Sequence, residues 1–107
     1  MNFKNLYSDL ISQLDNEIPI TAYPIRELVQ IFRNAGNPIT LQSKLTITSI
    51  FNSGDISGIM CSILGNDGKV GACSLTHLIF DFKFRLYKDI IDYQRKRHKR
   101  IKQLNQM

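Results

Sequence analysis

The central part of the chain changes its hydrophobic period, and that change constrains the fold more than any other feature of the sequence. Residues 45–51, Leu-Thr-Ile-Thr-Ser-Ile-Phe, are rich in β-branched side chains, which favour strands. Turn sequences at 52–55 and 65–68 set off two further apolar segments, 56–64 and 70–80. Gly combined with Asn or Asp in this way is typical of hairpin loops. The pattern predicts an antiparallel meander of three strands.

The second predicted hairpin also predicts a register. If Leu64 faces Val70 across the turn, then Cys61 lies opposite Cys73 on the neighbouring strand. Two cysteines are too few for a disulfide framework. We therefore expect two small, buried, reduced thiols, and a redox-sensitive pair is the alternative.

His77 is the nearest further residue of a metal-ligating type. In a regular strand, residues 73 and 77 are about 13 Å apart at 3.3 Å per residue, whereas zinc needs its ligands within roughly 2.3 Å of one point. We therefore expect no metal site and no cofactor. His77 is interpreted as a hydrogen-bonded histidine of the core or of a strand edge.

Helical periodicity is present on both sides of the central segment. Residues 2–16 carry apolar side chains at helical spacing, and a second apolar stripe follows Pro24. Pro24 suits the first position of a helix, because a proline lacks the N–H that would have no partner there. Gly36 and Pro38 end this second helix, and a long C-terminal helix is predicted to begin near Phe84.

The predicted element order is α-α-β-β-β-α, which is an α+β fold with two N-terminal helices, a three-stranded antiparallel meander and a long C-terminal helix. At 107 residues the chain is predicted to be a single small domain covering 1–107. A winged helix is the alternative, with residues 40–51 as its recognition helix. That segment is dense in Thr and Ile and offers only Lys44 as a cation, which disfavours the alternative.

Positive charge is concentrated at the C-terminal end. From Asp81 onward there are nine Lys or Arg residues and three Asp, whereas residues 1–80 hold five Lys or Arg and six Asp or Glu. The net charge of +5 therefore belongs to one end of the molecule. Six cations lie close together there, and we predict that they contact nucleic acid: Arg95, Lys96, Arg97, Lys99, Arg100 and Lys102.

Five of these cations lie between Gln94 and Arg100, a segment that lacks apolar side chains, and Lys102 follows Ile101. A helix that is polar all round has nothing to bury, so we expect residues 94–107 to project from the domain as a basic helix end. The six cations are spread around the predicted helix. The sequence therefore does not define a single contacting face.

The charge pattern favours an anionic partner. Our leading hypothesis is a small non-enzymatic binding protein whose basic helix end engages RNA or DNA phosphates, either alone or within a larger assembly. The alternative is a protein–protein adaptor or assembly subunit that uses the sheet edge or helix faces. In that case the cations only complement the helix dipole and keep the protein in solution.

Several other function classes lack support in the sequence. There is no nucleophile elbow, no metal-ligand cluster and no dinucleotide-binding fingerprint, so we do not expect an enzyme. No apolar run approaches the roughly 20 residues that a transmembrane helix needs, and no secretory leader is apparent. With so few cysteines, the expected location is the cytoplasm or an equivalent reducing compartment such as an organelle matrix or stroma.

Overall fold

The computed structural model describes residues 7–65 and 68–106, which form a five-stranded antiparallel sheet and four helices. The elements in chain order are α1 (Ser8–Asp15), β1 (Ile20–Pro24), α2 (Arg26–Asn34), β2 (Leu45–Asn52), α3 (Gly54–Ser57), β3 (Ile59–Leu64), β4 (Val70–Ser74), β5 (Leu78–Ile79) and α4 (Tyr87–Asn105). The strand order is β4-β3-β2-β1-β5. The α+β class is confirmed, whereas the predicted count of three strands is wrong.

The first additional strand, β1, comes from a segment that was predicted to lead directly into the second helix. Pro24 does not open that helix; it is the last residue of β1 and lies opposite Leu78 of β5. Ile25 is the N-cap of α2. A proline is tolerated at this strand end because it interrupts the ladder only where the strand stops.

The second additional strand results from a break in the segment predicted as one long strand over 70–80. A 3₁₀ turn at Leu75–His77 separates β4 from β5. The Ser74 hydroxyl accepts a hydrogen bond from the backbone N–H of Thr76 at 3.2 Å, a local bond that competes with the strand ladder. The chain then reaches the opposite edge of the sheet, where Ile79 pairs with Tyr23.

The predicted register of the second hairpin is confirmed. Leu64 lies opposite Val70, and Cys61 lies opposite Cys73. The winged-helix alternative is wrong, because residues 45–52 form β2, a strand paired on both sides with β1 and β3.

The remaining boundaries differ in detail from the sequence-based expectations. The turn predicted at 52–55 is a longer connection that contains α3, and the Asn52 side-chain oxygen accepts from the N–H of Gly54 at 2.9 Å. As a result β3 begins at Ile59 rather than at Ile56. The first helix is described from Ser8 to Asp15, and the start predicted at residue 2 lies outside the described residues.

One face of the sheet is buried beneath the helices. Its inward side chains are apolar and fully or nearly fully buried: Ile20, Ala22, Leu45, Ile47, Ile50, Ile59, Cys61, Ile63 and Cys73. They share a core cluster with Leu14 of α1, Phe32 of α2 and Ile90 of α4. Only this face of the sheet is covered, since the opposite positions along the strands are mostly exposed.

Leu14 is expected to be essential to stability because it anchors α1 to the core with 0% of its surface exposed. The substitution Leu14→Ala should lower the free energy of unfolding by about 2–5 kcal/mol through lost burial and the cavity it leaves. Urea denaturation measures this directly. Ile56, which is 83% exposed, is the control, and Ile56→Ala should have a much smaller effect; equal losses would contradict this account of the core.

Candidate functional site

The C-terminal helix α4, which carries the predicted site, is fixed to the domain by a buried tyrosine. The Tyr93 ring contacts Tyr7 edge-on, with ring centroids 5.1 Å apart. Its hydroxyl accepts a buried hydrogen bond of 2.8 Å from the backbone N–H of Ile59, the first residue of β3. Burial raises the pKa of Tyr93 to about 12, so this hydroxyl remains neutral and hydrogen-bonded.

The next residue along α4, Gln94, ties the helix to the opposite side of the fold. Its side-chain nitrogen donates to the carbonyl oxygens of Leu75 and Leu78, both at 3.0 Å. These carbonyls belong to the 3₁₀ turn and to the start of β5. The irregular connection between β4 and β5 is therefore bonded directly to the helix.

Arg97 is a buried part of this attachment, with only 2% of its surface exposed. One terminal nitrogen, Nη2, donates to the carbonyl oxygen of Ile56. The other, Nη1, lies 3.8 Å from a carboxylate oxygen of Asp55 and has no hydrogen bond among the described residues. The guanidinium thus lies against the connection that contains α3.

Arg100 lies one turn further and forms the principal ion pair of the helix. Its Nε and Nη2 atoms donate to the two carboxylate oxygens of Asp55 at 3.0 and 2.5 Å. This two-bond arrangement is the favourable geometry of an arginine with a carboxylate. The hydrogen bonds from Arg100 lower the pKa of Asp55 and raise that of Arg100.

These contacts correct the expectation that the helix projects from Gln94 onward. Gln94, Arg97 and Arg100 all bond to the domain, and Ile101 is partly buried. Polar side chains here continue the buried stripe, because an arginine can bury its aliphatic stem and bond through its end group. Their partners lie 16 to 45 positions away in sequence, so no local pattern reveals them.

The remaining cations of the predicted set are exposed. Lys96 forms an ion pair of 3.0 Å with Asp92 on the same helix. Arg95, Lys99 and Lys102 are exposed and form no ion pair within the described part of the chain. Two of the six predicted binding residues, Arg97 and Arg100, are therefore structural attachments in addition to carrying charge.

The exposed, unpaired cations define one face of α4. Arg95, Lys99 and Lys102, together with Lys88 at the start of the helix, lie within about 60° of arc at 3.6 residues per turn. We call these four residues the cation stripe. The sequence indicated six cations spread around the helix with no single contacting face. In the structure, the cations that are both exposed and unpaired lie on one face of α4, on the side away from the core.

The flank of α4 next to the cation stripe, which faces α1, is acidic. A cavity of about 590 Å³ between α1 and α4 is lined by four aspartates but only two cations, Lys96 and Arg100. Asp55 and Asp92 already pair with those two cations. The two flanks of one helix thus differ in sign, and only the cation stripe suits an anionic partner.

The other residues singled out in the sequence do not form a chemical site. Burial raises the pKa of Cys73 to about 12 and raises that of Cys61 as well, which suppresses the reactive thiolates. Burial also lowers the pKa of His77. In the described residues, no group of three or more His, Cys, Asp or Glu side chains is placed to hold a metal ion.

Comparisons with known proteins gave no match among family models, curated proteins or solved structures. Among residues 7–65 and 68–106, no helix is both long enough and apolar enough to cross a membrane.

Gly58 is expected to be required for docking of α4. Its φ is +67°, and a Cβ there would lie 2.5 Å from the Tyr93 hydroxyl oxygen and 2.7 Å from the Arg97 Nε atom. Gly58→Ala should therefore destabilise the fold by about 2 kcal/mol or more, through backbone strain together with the clash. Gly36 (φ +78°) has open space around it, so Gly36→Ala should cost only about 1 kcal/mol. Urea denaturation compares the two, and equal losses would exclude the clash.

The pair between Asp55 and Arg100 should make stability depend on pH. Because the folded pKa of Asp55 is lowered, the stabilisation is present above the unfolded value of about 3.9 and is lost as pH falls through the folded pKa. Asp55→Asn should thus destabilise the protein at pH 7, and the deficit should shrink below about pH 4.

Denaturant titrations of both proteins from pH 7 to pH 3 measure this deficit. Asp92→Asn is the matched control, because Asp92 pairs with Lys96 in an exposed position and such pairs contribute little. A deficit for Asp55→Asn that is no larger than that of the control, or that grows as pH falls, would contradict the assignment.

Proposed function

We propose that the protein is a non-enzymatic binding protein whose cation stripe engages the phosphates of RNA or DNA. The observation that carries the proposal is the set of exposed, unpaired cations on one face of a docked helix: Lys88, Arg95, Lys99 and Lys102. Lysine and arginine neutralise phosphates and release condensed counterions, which supplies affinity. Arg97 and Arg100 contribute by holding the helix in position.

The spacing along the helix supports this proposal. Arg95, Lys99 and Lys102 are separated by four and three residues, or roughly 6 and 4.5 Å of rise. A nucleic-acid strand advances about 3.4 Å per phosphate along its axis, so consecutive cations can meet phosphates one or two nucleotides apart. A helix already fixed by Tyr93 and Gln94 pays little ordering entropy on binding.

The contacts expected from this stripe are to the backbone and not to base edges, so binding should be largely independent of sequence. Binding that is independent of sequence suits a component of a larger ribonucleoprotein or DNA assembly. As part of the same proposal, the protein resides in the cytoplasm or in another reducing compartment. In its support, two cysteines in 107 residues are too few for a disulfide framework.

Removal of the stripe should abolish most of the affinity for nucleic acid. The variant Arg95→Gln/Lys99→Gln/Lys102→Gln loses three exposed cations, and fluorescence anisotropy with a labelled single-stranded RNA at several salt concentrations measures the effect. We expect weaker binding at low salt, and the slope of log affinity against log salt should shrink by about 2, because each lost phosphate contact contributes about 0.7.

The matched control removes three exposed cations elsewhere, in the variant Arg26→Gln/Arg33→Gln/Lys44→Gln. Its net charge equals that of the stripe variant, so nonspecific attraction is reduced equally. The control should retain most of the affinity and the original salt slope. Equal losses in both variants, or no binding of RNA or DNA by the unaltered protein at low salt, would overturn the proposal.

A second candidate function, that of an adaptor or assembly subunit, is favoured by the uncovered face of the sheet. None of the described residues at its outward positions carries a charge: Thr21, Tyr23, Thr46, Ser49, Phe51, Met60, Ser62, Leu64, Val70, Ala72, Ser74 and Ile79. Two cross-strand apolar pairs on this face are exposed, Tyr23 with Ile79 and Leu64 with Val70. A protein partner could bury such a face without desolvating charge.

Charged substitutions on the sheet test this second candidate without disturbing α4. Native mass spectrometry of the protein isolated from its source would compare the unaltered chain with Ile79→Lys/Val70→Lys. A stable protein partner that is lost in this variant, but kept when the cation stripe is neutralised, would favour the adaptor. The reverse dependence would favour nucleic acid.

A further inference from the structure

The two edges of the sheet differ in how their backbone is covered. At one edge, β5 has only two residues, and the carbonyl oxygen of Leu78 accepts a hydrogen bond of 3.0 Å from Gln94 of α4. At the other edge, β4 runs over five residues and contains no charged residue and no proline. Short length, charge, proline and a covering helix are the usual means by which an edge avoids further strand pairing. Within the described residues, β5 is protected in this way and β4 is not.

The backbone of β4 alternates between its partner β3 and the open edge. The Gly65 N–H donates to the Lys69 carbonyl oxygen at 2.9 Å. Because hydrogen-bonded and non-hydrogen-bonded pairs alternate along an antiparallel ladder, Gly71 and Cys73 bond to β3. The intervening residues point their N–H and C=O groups to the open edge: Val70, Ala72 and Ser74. Among the described residues, these outward backbone groups have no hydrogen bond.

A second cavity, of about 380 Å³, lies along this edge. Three consecutive residues of β4, Ala72, Cys73 and Ser74, line it, so the cavity follows the backbone of the strand. Two exposed apolar side chains also line it, Ile31 of α2 and Ile56 of α3. Unpaired strand groups and apolar side chains thus meet in one groove, and an added β-strand satisfies both.

The sequence of β4 is complementary to itself. In antiparallel pairing about a twofold axis, Ala72 lies opposite Ala72 of a second copy, and Val70 lies opposite Ser74. This register pairs all three outward residues, and each pair exchanges two hydrogen bonds. Val70, which is 72% exposed, then packs beside the small Ser74 at the wall of the cavity. The nearest cation, Lys69, precedes the strand, so the twofold axis places the two copies of Lys69 at opposite ends.

We propose that the protein forms a twofold-symmetric dimer in which β4 pairs antiparallel with β4 of a second copy. The two five-stranded sheets join into one continuous sheet, and the groove that contains Ile31 and Ile56 is covered at the junction. Such an interface uses the same surface of both copies and closes on itself. It goes beyond nucleic-acid binding and does not depend on it, because no residue of the cation stripe lies in β4 or lines this cavity.

The size of the contact predicts a weak and reversible dimer. Five residues at about 3.4 Å each make the edge about 17 Å long, and the sheet with one helix layer is about 20 Å deep. The pair would therefore bury roughly 700 Å² in projection, below the roughly 1,200 Å² of stable interfaces. We expect a dissociation constant of tens to hundreds of micromolar.

Sedimentation velocity of the full chain, from micromolar to millimolar concentration, tests the proposal. Ala72→Pro removes the outward N–H at the twofold axis and leaves the ladder to β3 intact, since proline is tolerated where the N–H faces solvent on an edge strand. It should weaken dimerisation by roughly tenfold or more. Ala72→Val is the matched control. It keeps the N–H and should dimerise at least as strongly as the unaltered chain, because β-branched residues favour strand pairing.

Circular dichroism confirms that each variant is folded. If Ala72→Pro fails to fold, Val70→Lys replaces it, because this side chain is exposed and a lysine on an edge strand opposes further pairing. Val70→Lys should weaken dimerisation to a similar extent.

Amide hydrogen exchange locates the interface in the unaltered protein. The outward amides of Val70, Ala72 and Ser74 should exchange rapidly in dilute solution and gain protection as the concentration rises. The amides of Gly71 and Cys73, which already bond to β3, should be protected at every concentration.

A chain that stays monomeric at millimolar concentration would overturn the proposal. So would a dimer that Ala72→Pro leaves intact, or a dimer without added protection at the three outward amides. Dimerisation is measured without nucleic acid, and RNA binding is measured with the stripe variants, so either proposal can fail while the other stands.

Discussion

The docking of α4 onto the start of β3 is the interaction on which the rest of the structure depends. The Tyr93 hydroxyl accepts from the N–H of Ile59, and Arg97 donates to the carbonyl of Ile56, three residues earlier in the chain. The first bond is buried and the second is part-buried, and loss of a buried partner is the most costly. Gly58 makes this approach possible because it has no Cβ to meet the two side chains.

This docking decides which charges of a very basic segment are available to a partner. A helix with charge all round becomes two-sided once Arg97 and Arg100 are committed to Ile56 and Asp55. The positive charge of the chain, which has a net charge of +5, is thus available on a narrow cation stripe, and an aspartate-rich cavity lies on the adjoining flank of the helix.

Much of the fold could be predicted wherever the local pattern and the tertiary structure agree. The hairpin of β3 and β4 follows from alternation and a glycine turn, so the pairing of Cys61 with Cys73 was predictable. β1 was not, because five residues ending in Pro24 resemble the entry to a helix. The break at Leu75–His77 depends on side-chain hydrogen bonds of Ser74, which compete with the strand ladder.

The sequence by itself determined the α+β class, the core alternation of the central hairpin and the accumulation of cations at one end, since these depend on composition and on periods of two and 3.6 residues. Only the tertiary structure decided which of those cations are buried. Arg97 and Lys99 are two residues apart and equally polar, yet one is buried and the other is exposed. The partners that distinguish them, Asp55 and Ile56, are brought there by chain folding over some 40 residues, and no local pattern encodes that distance.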